Sequence, residues 1–220
     1  MKTIYVIRHG RTILNKYDKM QGWCDSPLIP EGIAVAKKAG EELANIPFDA
    51  AFSSDAKRAS DTAQFIIERN VNRDKLELVQ SMFFREAFYG YFEGMGSPEA
   101  WFLSGGPHGY KEKEDLVAVE TFDTAKDYMK AADPYHDAED AKEYWERVDQ
   151  GLELIKNLPD SVENILLVTH GNTISSLTDR FGQGKFDLTV GPKNSSITTM
   201  TYDGDEFVIT SYNQMHLPKN

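Results

Sequence analysis

A chain of 220 residues, 40% of them hydrophobic, is long enough to bury one substantial core. Its formal charge of −11 excludes a broad footprint for nucleic acid or an anionic membrane, so an anion has to be gathered in a small cationic pocket inside an acidic shell. Cys24 is the single cysteine, which excludes an internal disulfide and a cysteine-based zinc cluster.

No charged leader with an apolar core opens the chain and no stretch reaches membrane-span length, so a cytoplasmic protein with no membrane partner is expected. Residues 3–7 form a short β-branched and aromatic run, the mark of a buried strand, and lead straight into Arg8-His9-Gly10. His9 then lies at the carboxyl end of a central strand, where open α/β sheets place their ligand crevices. A lone histidine is ordinarily a satisfied core or surface residue. Here the arrangement repeats, because residues 165–169 run into His170-Gly171. Two such strands side by side bring both imidazoles to one crevice.

Arg11 to Asn15 and Gln21-Gly22-Trp23 make a polar loop suited to lining a site. A helix is expected over 30–46, with Ile33, Ala36, Gly40 and Leu43 on one face, Pro30 at its first position and Ile29 as a poor cap. A short strand over 49–52 follows. Ser53-Ser54-Asp55 offers cap chemistry for a helix over 55–69 with Ala59, Ala63 and Ile66 inward. That puts Arg58 in a first turn, where the backbone already favours anions; alone it reads equally as a solvated arginine.

After a strand over 76–79, glycines and aromatics crowd Glu86 and Glu93. That composition fits an ordered pocket wall, where burial favours the protonated form of a carboxyl, and fits a surface turn with two solvated acids about as well. Residues 95–140 break the αβ rhythm, with a loop at 105–109 and helical patterns over 115–131, and read as an inserted helical cap over the crevice mouth. From Glu112 to Asp149 thirteen acids face five bases, which reads first as a solvated acidic surface. Residues 140–158 form an amphipathic helix whose stripe, Ala141, Tyr144, Trp145, Val148, Leu152, Ile155 and Leu158, reads as core. A short helix is expected over 172–181. Two strands, 195–202 and 206–212, flank the hairpin signal Asp203-Gly204-Asp205 and suit an antiparallel edge on a mostly parallel sheet. That edge could pair with a second copy in a homodimer, although nothing in the sequence requires it.

Arg8-His9-Gly10 with Thr12 and Asn15, Gln21-Gly22-Trp23, Arg58, Glu86 four residues before Gly90, and His170-Gly171 occur in order on both flanks of the chain. Together they resemble the histidine phosphatase superfamily, also called phosphoglycerate-mutase-like. The resemblance implies a doubly wound α/β sheet flanked by helices and needing no metal or other cofactor. It implies that His9 takes the phosphoryl group as phosphohistidine and that Arg8, Arg58 and His170 bind that group. Glu86 would protonate the leaving oxygen and then help activate water. Asn15, Gln21, Gly22, Gly171 and Asn172 would border the substrate. These residue types suit the chemistry. Nearby guanidiniums keep an imidazole neutral and nucleophilic, and fixed cations offset charge on the transferring oxygens. The chain departs from the family at Arg11, usually Glu or Gln, at Ile29, a common Thr cap, and at Asn172-Thr173, which is mutase-like wording.

Three readings follow. The first is a metal-independent phosphomonoesterase for a small organic phosphate. The second is a cofactor-dependent phosphoglycerate mutase. Against it stand an acidic insertion with only His108, Lys111 and Lys113 near its start and the phosphatase-like run Asp25-Ser26-Pro27-Leu28. The third is a non-catalytic phosphate- or phosphoprotein-binding module, at odds with the filled catalytic positions. Aromatics from Trp23 through Phe88, Tyr89, Tyr91, Phe92, Trp101 and Phe102 suggest an enclosed, partly apolar pocket suited to small monoesters.

Overall fold

A computed structural model describes residues 1–217. At its centre β1 (Lys2–Arg8) lies parallel to β4 (Asn164–Thr169), pairing Ile4 with Ile165 and Arg8 with Thr169. β2 (Ala50–Ser54) lies parallel on the far side of β4, and β3 (Leu78–Ser81) parallel on β2. β5 (Ile197–Tyr202) and β6 (Phe207–Gln214) complete the other edge antiparallel, giving the order β3-β2-β4-β1-β5-β6. The mixed, mostly parallel sheet and its flanking helices are the expected α/β architecture.

Alternation sorts the central strands onto two cores. Ile4, Val6, Ile165 and Leu167 face one, and Ile7, Leu166 and Val168 the other. The second core is closed by Ala59, Ala63 and Ile66 of α3 (Lys57–Ile67), on which α2 (Pro30–Glu42) packs. The first is closed by Tyr144, Val148, Leu152 and Ile155 of α7 (Ala141–Lys156) and by Ile174 and Leu177 of α8 (Gly171–Phe181). A short α1 (Ile13–Lys16) follows β1, capped by Thr12.

Several boundaries differ from expectation. α2 stops at Glu42, with Leu43 buried just beyond it. The expected cap of α3 is absent. Ser54 Oγ accepts from the Ala56 amide at 3.2 Å, Asp55 turns away to ion-pair with Arg85, and Ala56 takes the N-cap position with no side-chain bond. Asp25 replaces it from a distance, its Oδ2 accepting from the Lys57 amide at 2.6 Å. β3 begins two residues later than expected because Leu76 precedes the paired segment. The insertion holds α4 (Ser97–Gly105), α5 (Lys113–Val119) and α6 (Phe122–Ala132), the last two separated where Thr121 caps the Thr124 amide. Its acids are only partly a solvated face. Asp133 is fully buried and accepts from the Tyr91, Tyr135, Asp137 and Ala138 amides. No helix among the described residues is long and apolar enough to cross a membrane.

Candidate active site

The β1–β4 pairing carries the two strand-His-Gly units to one end of the sheet. The rings of His9 and His170 lie 5.2 Å apart, nearly edge to face. His9 Nδ1 sits 2.7 Å from the Gly10 carbonyl oxygen, which can only accept, so Nδ1 carries the proton and Nε2 keeps its lone pair. Burial first, then the Arg58 and Arg8 charges, push the His9 pKa well below the usual histidine value. His170 is pushed the same way by burial, then by Arg58, His9, Arg147 and Arg8. Neither ring nitrogen of His170 has a hydrogen-bond partner among the described residues.

A cavity of about 160 Å³ opens beside His9. Its wall brings together Arg8, His9, Asn15, Gln21, Glu86, Gly171 and Asn172 of the residues singled out from the sequence. Tyr89, Trp101 and Lys113 join them. Arg58, His170 and Gly22 are not among the residues that line it. Arg8 is fixed by donating to the Pro192 carbonyl at 2.6 Å, and its guanidinium rests on Gly171, where a Cβ would lie 3.2 Å from Nε. Glu86 is held by the start of α8. Its Oε2 accepts from the Asn172 amide at 2.8 Å, and its Oε1 from the Thr173 amide and hydroxyl at 2.9 and 3.0 Å. The wall around Glu86 is therefore hydrogen-bonding as well as aromatic.

Arg58 is fully buried, and its guanidinium clamps the 21–25 loop. It donates to the Cys24 and Gly22 carbonyls at 2.9 and 2.6 Å and to Asp25 at 3.0 Å. With its amide turned to donate to Thr12, Gln21 accepts from Arg58 as well. The other side of this loop hangs on Glu93, whose carboxylate accepts from the Gly22, Trp23 and Cys24 amides at 3.0, 2.8 and 3.2 Å and from Tyr89 at 3.1 Å. Glu93 is thus a scaffold for the loop and lies off the cavity wall. Arg147 was also hidden in the sequence, as a cation in the stripe of α7. It bridges Glu139 to the carbonyls of Met82, Phe83, Arg85 and Glu86. The described residues contain no group of three or more histidine, cysteine, aspartate or glutamate side chains placed to hold a metal ion.

Two expected results follow from this geometry. A Cβ on Gly22 would lie 2.3 Å from the Ala87 carbonyl oxygen and from Glu93 Oε1. Gly22→Ala should therefore cost about 1–3 kcal/mol, the range for forced overpacking, and displace the loop that holds Arg58. Urea melts and kcat/KM of the variant check this; an unchanged pair of values would show that the loop yields freely. The second concerns pH. The unfolded chain protonates His9 and His170 near about pH 6.5, whereas the folded chain resists, so stability falls as pH drops below that value. The slope reaches up to about 1.4 kcal/mol per pH unit for each histidine until the folded-state values are met. His170→Asn should flatten the acid limb of the urea midpoint measured between about pH 7 and pH 5.

The chain belongs to the histidine phosphatase superfamily, whose branch 1 model matches residues 4–215. A phosphoglycerate mutase from Bacillus anthracis str. Sterne superposes with a TM-score of 0.89 at 34% identity, covering 97% of this chain and 93% of that one. A 2,3-bisphosphoglycerate-dependent phosphoglycerate mutase from Bacteroides fragilis is 28% identical over 197 residues, 80% of this chain and 76% of its own. An alpha-ribazole phosphatase from Shigella flexneri shares the fold at a TM-score of 0.70 and 19% identity, over 99% of each chain. Members of the superfamily are phosphatases or mutases, so the chain is an enzyme of a phosphoryl-transferring family.

Proposed function

We propose that the chain hydrolyses small organic phosphate monoesters through a phosphohistidine on His9, without a metal. The observation that carries this reading is the His9 ring itself: Nδ1 bonded to the Gly10 carbonyl, the ring neutral, and the residue on the cavity wall beside Arg8. In the first step the Nε2 lone pair forms a bond to phosphorus while the bond to the leaving oxygen breaks. Glu86 supplies the proton that an alkoxide requires. In the second step water attacks the phosphohistidine, Glu86 takes the proton of that water, and the bond between Nε2 and phosphorus breaks.

Arg8 is placed to take equatorial oxygens directly, as a guanidinium suits. His170 offers an unpartnered ring nitrogen to an oxygen of the group carried on His9, which gives those buried atoms a use. Arg58, turned toward its loop, contributes positive potential at the His9 ring. Asn15, Gln21, Gly171 and Asn172 bound the space next to the phosphoryl group. The small volume, lined in part by Met20, Tyr89 and Trp101, suits a compact ester over a nucleic acid or a long polyphosphate.

A second reading, a phosphoglycerate mutase, is favoured by the names of the relatives above and by Asn172 on the wall. The two differ in what the phosphohistidine meets next, water or a second substrate. Steady-state release of para-nitrophenol from its phosphate, with and without chelator, separates them. Chelator-resistant turnover is expected of the phosphatase. A chain that releases nothing, yet interconverts phosphoglycerates when primed with 2,3-bisphosphoglycerate, is a mutase.

A further inference from the structure

The tautomer of His9 depends on one acceptor, the Gly10 carbonyl oxygen. Glycine turns about its own backbone bonds more freely than any other residue, so that oxygen stays in place only if its surroundings hold it. Three contacts hold Gly10. The Asn194 side chain donates to the His9 carbonyl at 3.0 Å, and the Gly10 amide donates to Thr62 Oγ1 at 2.9 Å. The peptide between His9 and Gly10 is thus fastened at both of its polar groups. The Gly10 Cα lies against the start of α2, where an added Cβ would sit 2.6 Å from the Gly32 carbonyl oxygen.

Thr62 comes from the second turn of α3 and is fully buried. Its hydroxyl hydrogen is already committed, to the Arg58 carbonyl four positions back at 2.7 Å. Toward Gly10 the oxygen can then only accept, which is what an N–H requires. Among the described residues Thr62 is the one hydrogen-bond partner of that amide. A buried amide without a partner is costly, so loss of the hydroxyl would turn the Gly10 backbone toward another acceptor or toward water. That turn takes the Gly10 carbonyl away from Nδ1. Either ring nitrogen of His9 can then hold the proton, and a ring protonated on Nε2 has no lone pair to offer phosphorus. The same hydroxyl ties the backbone of the nucleophile to the first turn of α3, which carries Arg58.

We propose that Thr62 is a positioning residue: its hydroxyl, bridging the Gly10 amide and the Arg58 carbonyl, sets the tautomer of His9 and keeps Nε2 free to attack. The proposal rests on the reading of His9 as the nucleophile, but the tautomer can be read without turnover. Protein carrying isotope-labelled histidine would be examined by long-range proton–nitrogen correlation spectra, with His9 assigned by its loss in His9→Ala. Wild type should show the proton on Nδ1. Thr62→Val, close in shape but without the hydroxyl, should move that proton partly or wholly to Nε2. With para-nitrophenyl phosphate its kcat should fall about 10- to 100-fold, by analogy with the outer partners that orient metal-bound histidines, while KM stays within about twofold. Thr62→Ser should restore the proton position and most of kcat. Thr62→Ala removes the same hydroxyl with less bulk and is read beside the valine variant, so a folding defect in one of them does not decide the matter. A wild type protonated on Nε2, a proton that stays on Nδ1 in the hydroxyl-free variants, or a serine variant no better than valine overturns the proposal. A tautomer that follows the hydroxyl in a protein that hydrolyses no ester would instead leave the positioning role standing and remove the phosphatase reading.

Discussion

His9→Ala should lower phosphate release by about five to six orders of magnitude, the scale seen when a covalent nucleophile is removed from an enzyme built around it. Three features concentrate the chemistry on this ring. The Gly10 carbonyl fixes the tautomer, burial with Arg58 and Arg8 keeps the ring neutral, and Nε2 is the atom left to attack. Alanine removes the attacking atom and leaves Arg8, Glu86 and the cavity in place, so no alternative route through the same intermediate survives. The fold should change little, since one hydrogen bond at the end of β1 is worth about 0.5–1.5 kcal/mol. Initial rates with para-nitrophenyl phosphate, beside a thermal melt, check both halves. A rate within about tenfold of wild type would remove His9 from the chemistry.

Arg147→Ala should be the most damaging single change to stability, at about 3–5 kcal/mol, the cost of breaking a buried ion pair from one side. The guanidinium is buried and meets Glu139 through two bonds of 2.7 Å. Its remaining donors meet the carbonyls of Met82, Phe83 and Arg85 at 3.2 Å and of Glu86 at 3.1 Å. Alanine would strand the Glu139 carboxylate beside four carbonyls at a place only slightly open to water. It would also release the segment that carries Glu86 to the cavity, so kcat should fall in the variant that still folds. A melting temperature lower by about 10 °C is expected for a chain of this size. A loss below about 1 kcal/mol in urea would show that the pair is solvated and replaceable.

The strands and their ends were legible in the sequence because their signal is local. An apolar run followed by His-Gly, present twice, is readable within seven residues each time, and the β1–β4 register then brings His9 and His170 together. Arg58 was placed in a first turn correctly, but its hydrogen bonds to a loop more than thirty positions earlier were not. Glu93, Arg147 and Lys113 meet partners that are 71, 61 and 59 positions away. Each carries a local pattern of its own, a turn acid, a charge on an amphipathic helix or a base beside acids, that solvated residues share. The expected cap of α3 failed for the same reason: Asp55 found a stronger partner in Arg85, and Asp25 came from another loop to serve instead. Spacing reports what neighbours along the chain can do. The pairing of buried charges depends on which loops the sheet brings together.

The central claim is a covalent bond from His9 to phosphorus. Wild type mixed briefly with substrate and quenched in alkaline denaturant, where phosphohistidine survives and from which acid removes it, can be weighed intact and mapped by peptide. The mass should rise by a single phosphoryl group, located at His9, lost on acid treatment and absent from His9→Ala. Turnover with no such adduct at any quench time, or an acid-stable label on another residue, would contradict the account.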